Sequence, residues 1–232
     1  MLRVFITGAN RGIGLGLAGQ CLQRGDRVFA GCRNPEQATE LHRLQDQHGD
    51  RLTVLPLDVT DQSAIDSAVT TVEGFVDGLD LLVNNAGVGG GEDPFGQLAE
   101  EGLIDTFRVN AVAPILLAQA MLPLLKKGQR PVIASVTSRM GSIADNGSGG
   151  YYAYRASKAA LNMLHKSLAV DLAQQGIITV VLHPGWVRTD MGGQGGRLSV
   201  EESVAGLLQV VDGLTETDSG RFFDWRGKKV PW

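Results

Sequence analysis

Cysteine is nearly absent from this chain. Cys21 and Cys32 are the only two in 232 residues, and they form no Cys-x-x-Cys pair. That excludes a disulfide framework and fits a reducing compartment, so the cytoplasm is the default address. Histidine is also sparse. His42, His48, His165 and His183 show no metal-ligand spacing, and no metal is expected. The formal net charge is -4, which leaves no basic surplus for nucleic acid or an anionic membrane. Long apolar runs are missing too. The most apolar stretch, 111–125, is interrupted by Pro114, Gln119 and Pro123 and falls short of a membrane span. Residues 1–7 are too short for the apolar core of a signal peptide before Gly8 intervenes. What remains is 43% hydrophobic and 20% charged residues, the balance of an ordinary soluble globular protein with a sizeable core.

Short apolar runs alternate with longer helical patterns. Residues 2–7, 27–33, 52–57, 79–84, 130–137 and 177–183 read as strands, with a short last one near 220–224. Helical patterns lie at 13–24, 36–47, 62–77, 99–126, 152–175 and 200–212. The strands are apolar on both faces, as a parallel sheet covered by helices on both sides requires. The expectation is an α/β fold: a single-domain, doubly wound parallel sheet of Rossmann type spanning 1–232. Two glycine-dense loops, 145–150 and 192–196, are not domain boundaries.

The first strand runs into Thr7-Gly8-Ala9-Asn10-Arg11-Gly12-Ile13-Gly14 and then directly into a helix. Glycines there allow a pyrophosphate to approach the backbone, and the helix N-terminus offers N–H donors. The spacing is Gly-x-x-x-Gly-x-Gly, and in this strand–turn–helix context it points to a nucleotide. The second strand ends at Cys32-Arg33 with no carboxylate to accept from a ribose hydroxyl. Arg33, with Arg11 beside it, suits a 2′-phosphate, favouring NADP(H) over NAD(H). The plain alternative is two solvated arginines. Asp58 fits either an adenine amino contact or a cap on the next helix.

Tyr154 precedes Lys158 by four residues, which places phenol and ammonium on one helix face. A cation held there would draw the phenol pKa down toward neutrality. Ordinary amphipathic helices carry such pairs as well, so the weight lies in the ordered set. The 7–14 turn, Asn84-Asn85-Ala86-Gly87, Asn110, Ser138 followed by Gly141, Tyr154 with Lys158, and Pro184-Gly185 occur in that order. In this the chain resembles the short-chain dehydrogenase/reductase family. It is most similar to the compact C-factor-like and Sniffer-like carbonyl reductases, through Gly141-Ser142-Ile143, the 146–150 loop, and the ending from Ser219-Gly220-Arg221-Phe222 to Pro231-Trp232.

The resemblance implies that Ser138 holds a substrate carbonyl, Tyr154 gives it a proton, Lys158 binds the nicotinamide ribose, and Asn110 supports a proton relay. It implies cofactor contacts from Gly8, Asn10, Arg11, Gly12, Ile13 and Gly14, from Arg33, Asp58 and Val59, and from Asn85, Ala86 and Gly87. Pro184, Gly185, Val187 and Thr189 would meet the carboxamide and phosphates. The nucleotide part lies mainly in 1–110 and the catalytic part mainly in 110–232. The expected activity is NADPH-dependent reduction of a small aldehyde or ketone to an alcohol. A short segment between Met191 and Ser199 argues against a deep, steroid-sized pocket. Ala156, Ala160, Leu164, Leu168 and Leu172, at helical spacing, suggest a homo-oligomer, dimer or tetramer. A nucleotide-sensing regulatory or signalling protein is the second reading. A hydrolase built on Ser138 lacks a recognisable base. Finally, Pro114 has no N–H for the carbonyl of Asn110, so a free carbonyl and a local bend are expected there. They serve either a relay site beside Lys158 or simply the fit to the sheet.

Overall fold

Runs such as Val4-Phe5-Ile6 and Val28-Phe29-Ala30 can hide both faces only in the middle of a sheet covered on both sides. The computed structural model describes residues 1–91 and 94–232 and builds that arrangement. Its chain order is β1 (Arg3–Thr7), α1 (Gly12–Gln23), β2 (Arg27–Cys32), α2 (Thr39–His48), β3 (Leu52–Pro56), α3 (Gln62–Glu73) and β4 (Leu81–Asn84). It continues with α4 (Glu100–Phe107), α5 (Ala113–Leu125), β5 (Val132–Val136), α6 (Tyr152–Leu172), β6 (Ile178–His183), α7 (Val200–Gly213) and β7 (Arg221–Asp224). All seven strands are parallel, in the order β3-β2-β1-β4-β5-β6-β7. The order reverses between β1 and β4, which opens a crevice at the carboxyl ends of the strands.

Alternation along β1 feeds two separate cores. Val4 and Ile6 pack with Leu17 of α1, Leu41 of α2 and Leu207 of α7. Phe5 points the other way, toward Ile65 of α3, Leu117 of α5 and Leu172 of α6.

α4 and α5 are joined by a π turn, Arg108–Val112, so Glu100–Leu125 forms one continuous rod. The rod has 26 residues and contains an 18-residue window of mean hydropathy 1.5, long and apolar enough to cross a membrane, which the interrupted 111–125 stretch alone is not. Half of that window is buried, and Leu117, Ala118, Met121, Leu124 and Leu125 pack into the sheet core. The local irregularity expected from Pro114 is this π turn. Ala113 N–H bonds back five residues to the Arg108 carbonyl, and Pro114 follows with no N–H to offer.

Candidate active site

The crevice holds a cavity of about 530 Å³. At its base the glycine turn folds under a helix that no side chain caps, so the first N–H groups of α1 remain available to an anion. Gly14 is there for clearance: a Cβ would stand 2.2 Å from the Gly8 carbonyl oxygen. The turn is stapled to β4. Thr7 Oγ1 accepts from the N–H groups of Asn85 and Ala86, and Asn85 Nδ2 donates to the carbonyls of Thr7 and Gly8. Gly8, Asn10, Arg11, Gly12 and Ile13 line the cavity, as do Asn85, Ala86 and Gly87. Thr189, from the loop after β6, meets the turn from the far side; a Cβ on Gly12 would lie 3.3 Å from its Cγ2.

Toward the open end stand Arg33, Asp58, Val59 and Arg11. Arg33 is exposed and lowers the pKa of Asp58, though less than the backbone and hydroxyl hydrogen bonds from Thr60 do. Both Thr60 bonds fall on Asp58 Oδ1. The cap on α3 belongs to Asp61, which accepts from Ser63, so the capping alternative for Asp58 is ruled out. Arg11 is not an isolated cation. Its Nη1 lies 2.9 Å from Asp190 Oδ2 across the mouth, with both side chains mostly in water. Cys32 lines the cavity, and burial pushes its thiol pKa up; Cys21, sealed in the core, is pushed up to about 12.

At the inner end, Tyr154 and Lys158 descend from α6. The Lys158 side chain is buried, and its Nζ donates to the Val136 carbonyl at 2.9 Å. Burial drives its pKa down to about 8. The Tyr154 phenol behaves opposite to the expectation from spacing. Burial raises its pKa, and the group that pulls it down is the neighbouring Ser138 hydroxyl. Lys158 Nζ is engaged by Val136 and lies 5.8 Å from the centre of the tyrosine ring. Ser138 sits beyond β5 and accepts from Met140 N–H at 3.1 Å. The glycine three residues later brings that turn down onto α6, since a Cβ on Gly141 would fall 2.8 Å from Lys158 Cβ.

Asn110 is fully buried in the π turn, and its side chain is committed. Oδ1 accepts from Val88 N–H, while Nδ2 donates to the Val88 carbonyl and to Ser157 Oγ. Gly87 provides the space between: a Cβ there would lie 3.1 Å from Asn110 Oδ1 and 3.6 Å from Lys158 Nζ. The structure thus gathers Asn110, Ser138, Tyr154 and Lys158 around one spot.

Pro184 and Thr189 line the cavity, whereas Val187 is buried behind it and Gly185 packs against Leu198 and Trp225. Met191 contributes to the wall, and Trp186 is half exposed with its indole N–H on the Gly192 carbonyl. Sequence reasoning missed Val109, Val136, Thr137, Arg188, Asp190 and Val200 as wall residues. Except for Val200, their signal was positional only, close to motif residues. A serine–histidine contact does exist, but between Ser135 and His165, both in the core. His165 Nδ1 has no partner among the described residues, and burial lowers its pKa to about 4. With no orienting acid and no access to the cavity, that pair offers nothing to hydrolysis.

Residues 3–197 match the model of the short chain dehydrogenase family. C-signal of Myxococcus xanthus is 51% identical over 154 residues, 66% of this chain and 93% of that protein. The NADPH-bound carbonyl reductase from chicken fatty liver superposes with a TM-score of 0.95 at 40% identity, covering 100% of this chain and 99% of that one. Carbonyl reductase Sniffer of D. melanogaster gives 0.96 at 40% identity, covering 100% of both chains.

Proposed function

The chain belongs to the short-chain dehydrogenase family, and from that premise we propose an NADP(H)-dependent reductase that turns small aldehydes or ketones into alcohols, with Tyr154 as proton donor. The observation that carries this reading is the Tyr154–Ser138 hydroxyl pair beside Lys158, at the closed end of a cavity with Arg33 at the other end.

The residues present fit the cofactor. The glycine turn is a cradle that side chains would fill, the N-terminus of α1 is uncapped, and β2 ends on a cation rather than a carboxylate. Gly8, Asn10, Gly12 and Ile13 would hold the pyrophosphate and Gly14 would pack the helix behind it. Arg33 and Arg11 would hold the 2′-phosphate, Asp58 and Val59 the adenine, and Asn85, Ala86 and Gly87 the adenosine. Pro184, Gly185, Val187 and Thr189 would shape the nicotinamide end.

Bound NADPH supplies a hydride to the carbonyl carbon. Ser138 Oγ already accepts from Met140 N–H, so its one hydroxyl proton can turn either to the Tyr154 oxygen or to a bound carbonyl oxygen, and substrate would take it while Tyr154 keeps its own proton. Tyr154 Oη delivers its proton to that oxygen. The raised pKa keeps the phenol protonated at neutral pH, the form a reductase needs. Lys158, charged below about pH 8, favours the phenolate left behind and would reach the ribose. Both ends of the Asn110 amide are occupied, so a relay role falls to its main-chain carbonyl, which Pro114 deprives of an α-helical donor.

The likeness to C-signal carries a second reading, a nucleotide-binding regulatory or signalling protein. An assembled proton donor is of no use to a pure sensor, which counts against it. A homo-oligomer is supported by exposed Met163 and Val170 on α6 with Ile104 and Val112 on the α4–α5 rod. The outward apolar positions are therefore not Leu168 and Leu172, which turn inward. The test is NADPH oxidation against a panel of aldehydes, ketones and quinones with the product alcohol identified. Turnover supports the reductase; tight NADPH binding with no turnover on any member supports the sensor.

A further inference from the structure

Ser138 must meet both the substrate and Tyr154, yet it sits on a turn outside any strand, and something has to hold that turn at a fixed height over α6. We propose that Asn162 is a positioning residue for Ser138, an inference that rests on the catalytic reading above. Asn162 lies on α6 one turn beyond Lys158 and is buried. Its Oδ1 accepts from the Thr137 hydroxyl at 2.8 Å, and its Nδ2 donates to the Gly141 carbonyl at 3.3 Å. Thr137 immediately precedes Ser138 and Gly141 follows it by three, so one side-chain amide grips the chain on both sides of the catalytic hydroxyl.

The turn closes on itself between those two points. Gly141 N–H donates to the Ser138 carbonyl at 2.8 Å, and Met140 N–H donates to Ser138 Oγ. It therefore moves as a unit, and the two Asn162 bonds fix that unit to the helix bearing Tyr154 and Lys158. A side-chain amide carries its acceptor and its donor on separate atoms of one short head, so it can hold two points of the chain at once. An aspartate would lose the donor toward Gly141, and a leucine would leave Thr137 and the Gly141 carbonyl unsatisfied in a buried place. The close approach of Gly141 to Lys158 sets how far the turn can descend, and Asn162 keeps it from lifting. Asn162 touches neither the cavity nor the reacting atoms, so its effect passes through Ser138.

That last point gives the test. A misplacement of ~1 Å can cost ~10²-fold in turnover, so loosening the turn is expected to cost roughly tenfold or more in kcat. Asn162→Leu is made in the wild-type and in the Ser138→Ala background, with NADPH dissociation constants measured by fluorescence. The expected result is roughly a tenfold loss of kcat when Ser138 is present, less than about a twofold further loss when it is absent, and NADPH affinity within about twofold throughout. Thr137→Val removes one of the two bonds with little change of shape. Because Thr137 also lines the cavity, this variant is read by kcat at saturating NADPH; it is expected to show the same background dependence at smaller size, and it serves as the readout if Asn162→Leu does not fold. An equal loss in both backgrounds, or none in either, overturns the role of Asn162 while leaving the reductase reading intact. Unchanged turnover in Ser138→Ala alone overturns the catalytic reading, and the inference with it.

Discussion

At the outer end of the cavity the charged groups stand in water: Arg33 is exposed, and Arg11 and Asp190 keep 68% and 76% of their side-chain surface. At the inner end Lys158 keeps 5%, and Tyr154 is enclosed enough for burial to raise its pKa. The same kind of group therefore has two different weights in one cleft. Outside, charge costs little to hold and is screened by salt, which suits the proposed choice between ligands that differ by a phosphate. Inside, a charge is expensive to bury, and each hydrogen bond to it decides where a proton can go. On the proposed reading, cofactor choice and chemistry are separable, and each is expected to change with little effect on the other.

The largest effect is expected from Tyr154→Phe, which removes only the hydroxyl. Turnover should fall by ~10²–10⁴-fold, the usual worth of a positioned general acid. Steady-state reduction rates beside a cofactor titration check this, and a variant that kept most of its rate would show the inner end to be assigned wrongly. Next comes the cost of burying Lys158. Its pKa in the folded protein, about 8, is below the ordinary 10.5, so the unfolded chain binds more protons between those values. Stability should accordingly rise with pH across that window, relative to Lys158→Met, by about 3 kcal/mol. Urea unfolding of both proteins from pH 7 to 10.5 measures it; a constant gap between them would mean the ammonium is not buried.

The outer end should respond more gently. Arg33→Asp is expected to lower kcat/KM for NADPH roughly ten- to hundredfold while raising it for NADH, since a phosphate partner is exchanged for a ribose acceptor. An unchanged ratio would place Arg33 out of reach of the cofactor. The smallest expected change is for Asp190→Asn, which frees Arg11 from an exposed ion pair worth at most about 1 kcal/mol. NADPH binding should tighten by no more than about fivefold, with NADH unaffected. Calorimetry at low salt resolves that, and weaker NADPH binding would show instead that Asp190 orients Arg11 for the phosphate.

The parts of the molecule that could be read from sequence are those where local chemistry and contact coincide. The seven strands fell within two residues of their places because apolar runs of that length suit only a sheet covered on both faces. Gly14 and Gly141 were legible because no other residue has room there. What stayed hidden depends on the third dimension. Spacing put a cation near Tyr154 but could not show that burial outweighs it or that Lys158 is held by Val136. Arg11 and Asp190 are 179 positions apart, and no local pattern joins them. On α6, steps of four residues advance about 40° round the helix each time, so the series from Ala156 to Leu172 swings from the surface into the core. Met163 and Val170, seven apart, stay outside. Asn162 carries no local signal at all, since both of its partners, Thr137 and Gly141, lie more than twenty positions away.

The separation of the two ends is tested most directly by one set of binding and turnover constants on four proteins: wild type, Tyr154→Phe, Arg33→Asp and the double variant. With the ends independent, Tyr154→Phe lowers kcat with NADPH affinity held within about twofold, Arg33→Asp weakens NADPH with kcat at saturation preserved, and the double variant shows the sum of the two changes in free energy. Loss of kcat at saturating NADPH in Arg33→Asp, or loss of NADPH affinity beyond about tenfold in Tyr154→Phe, would contradict it.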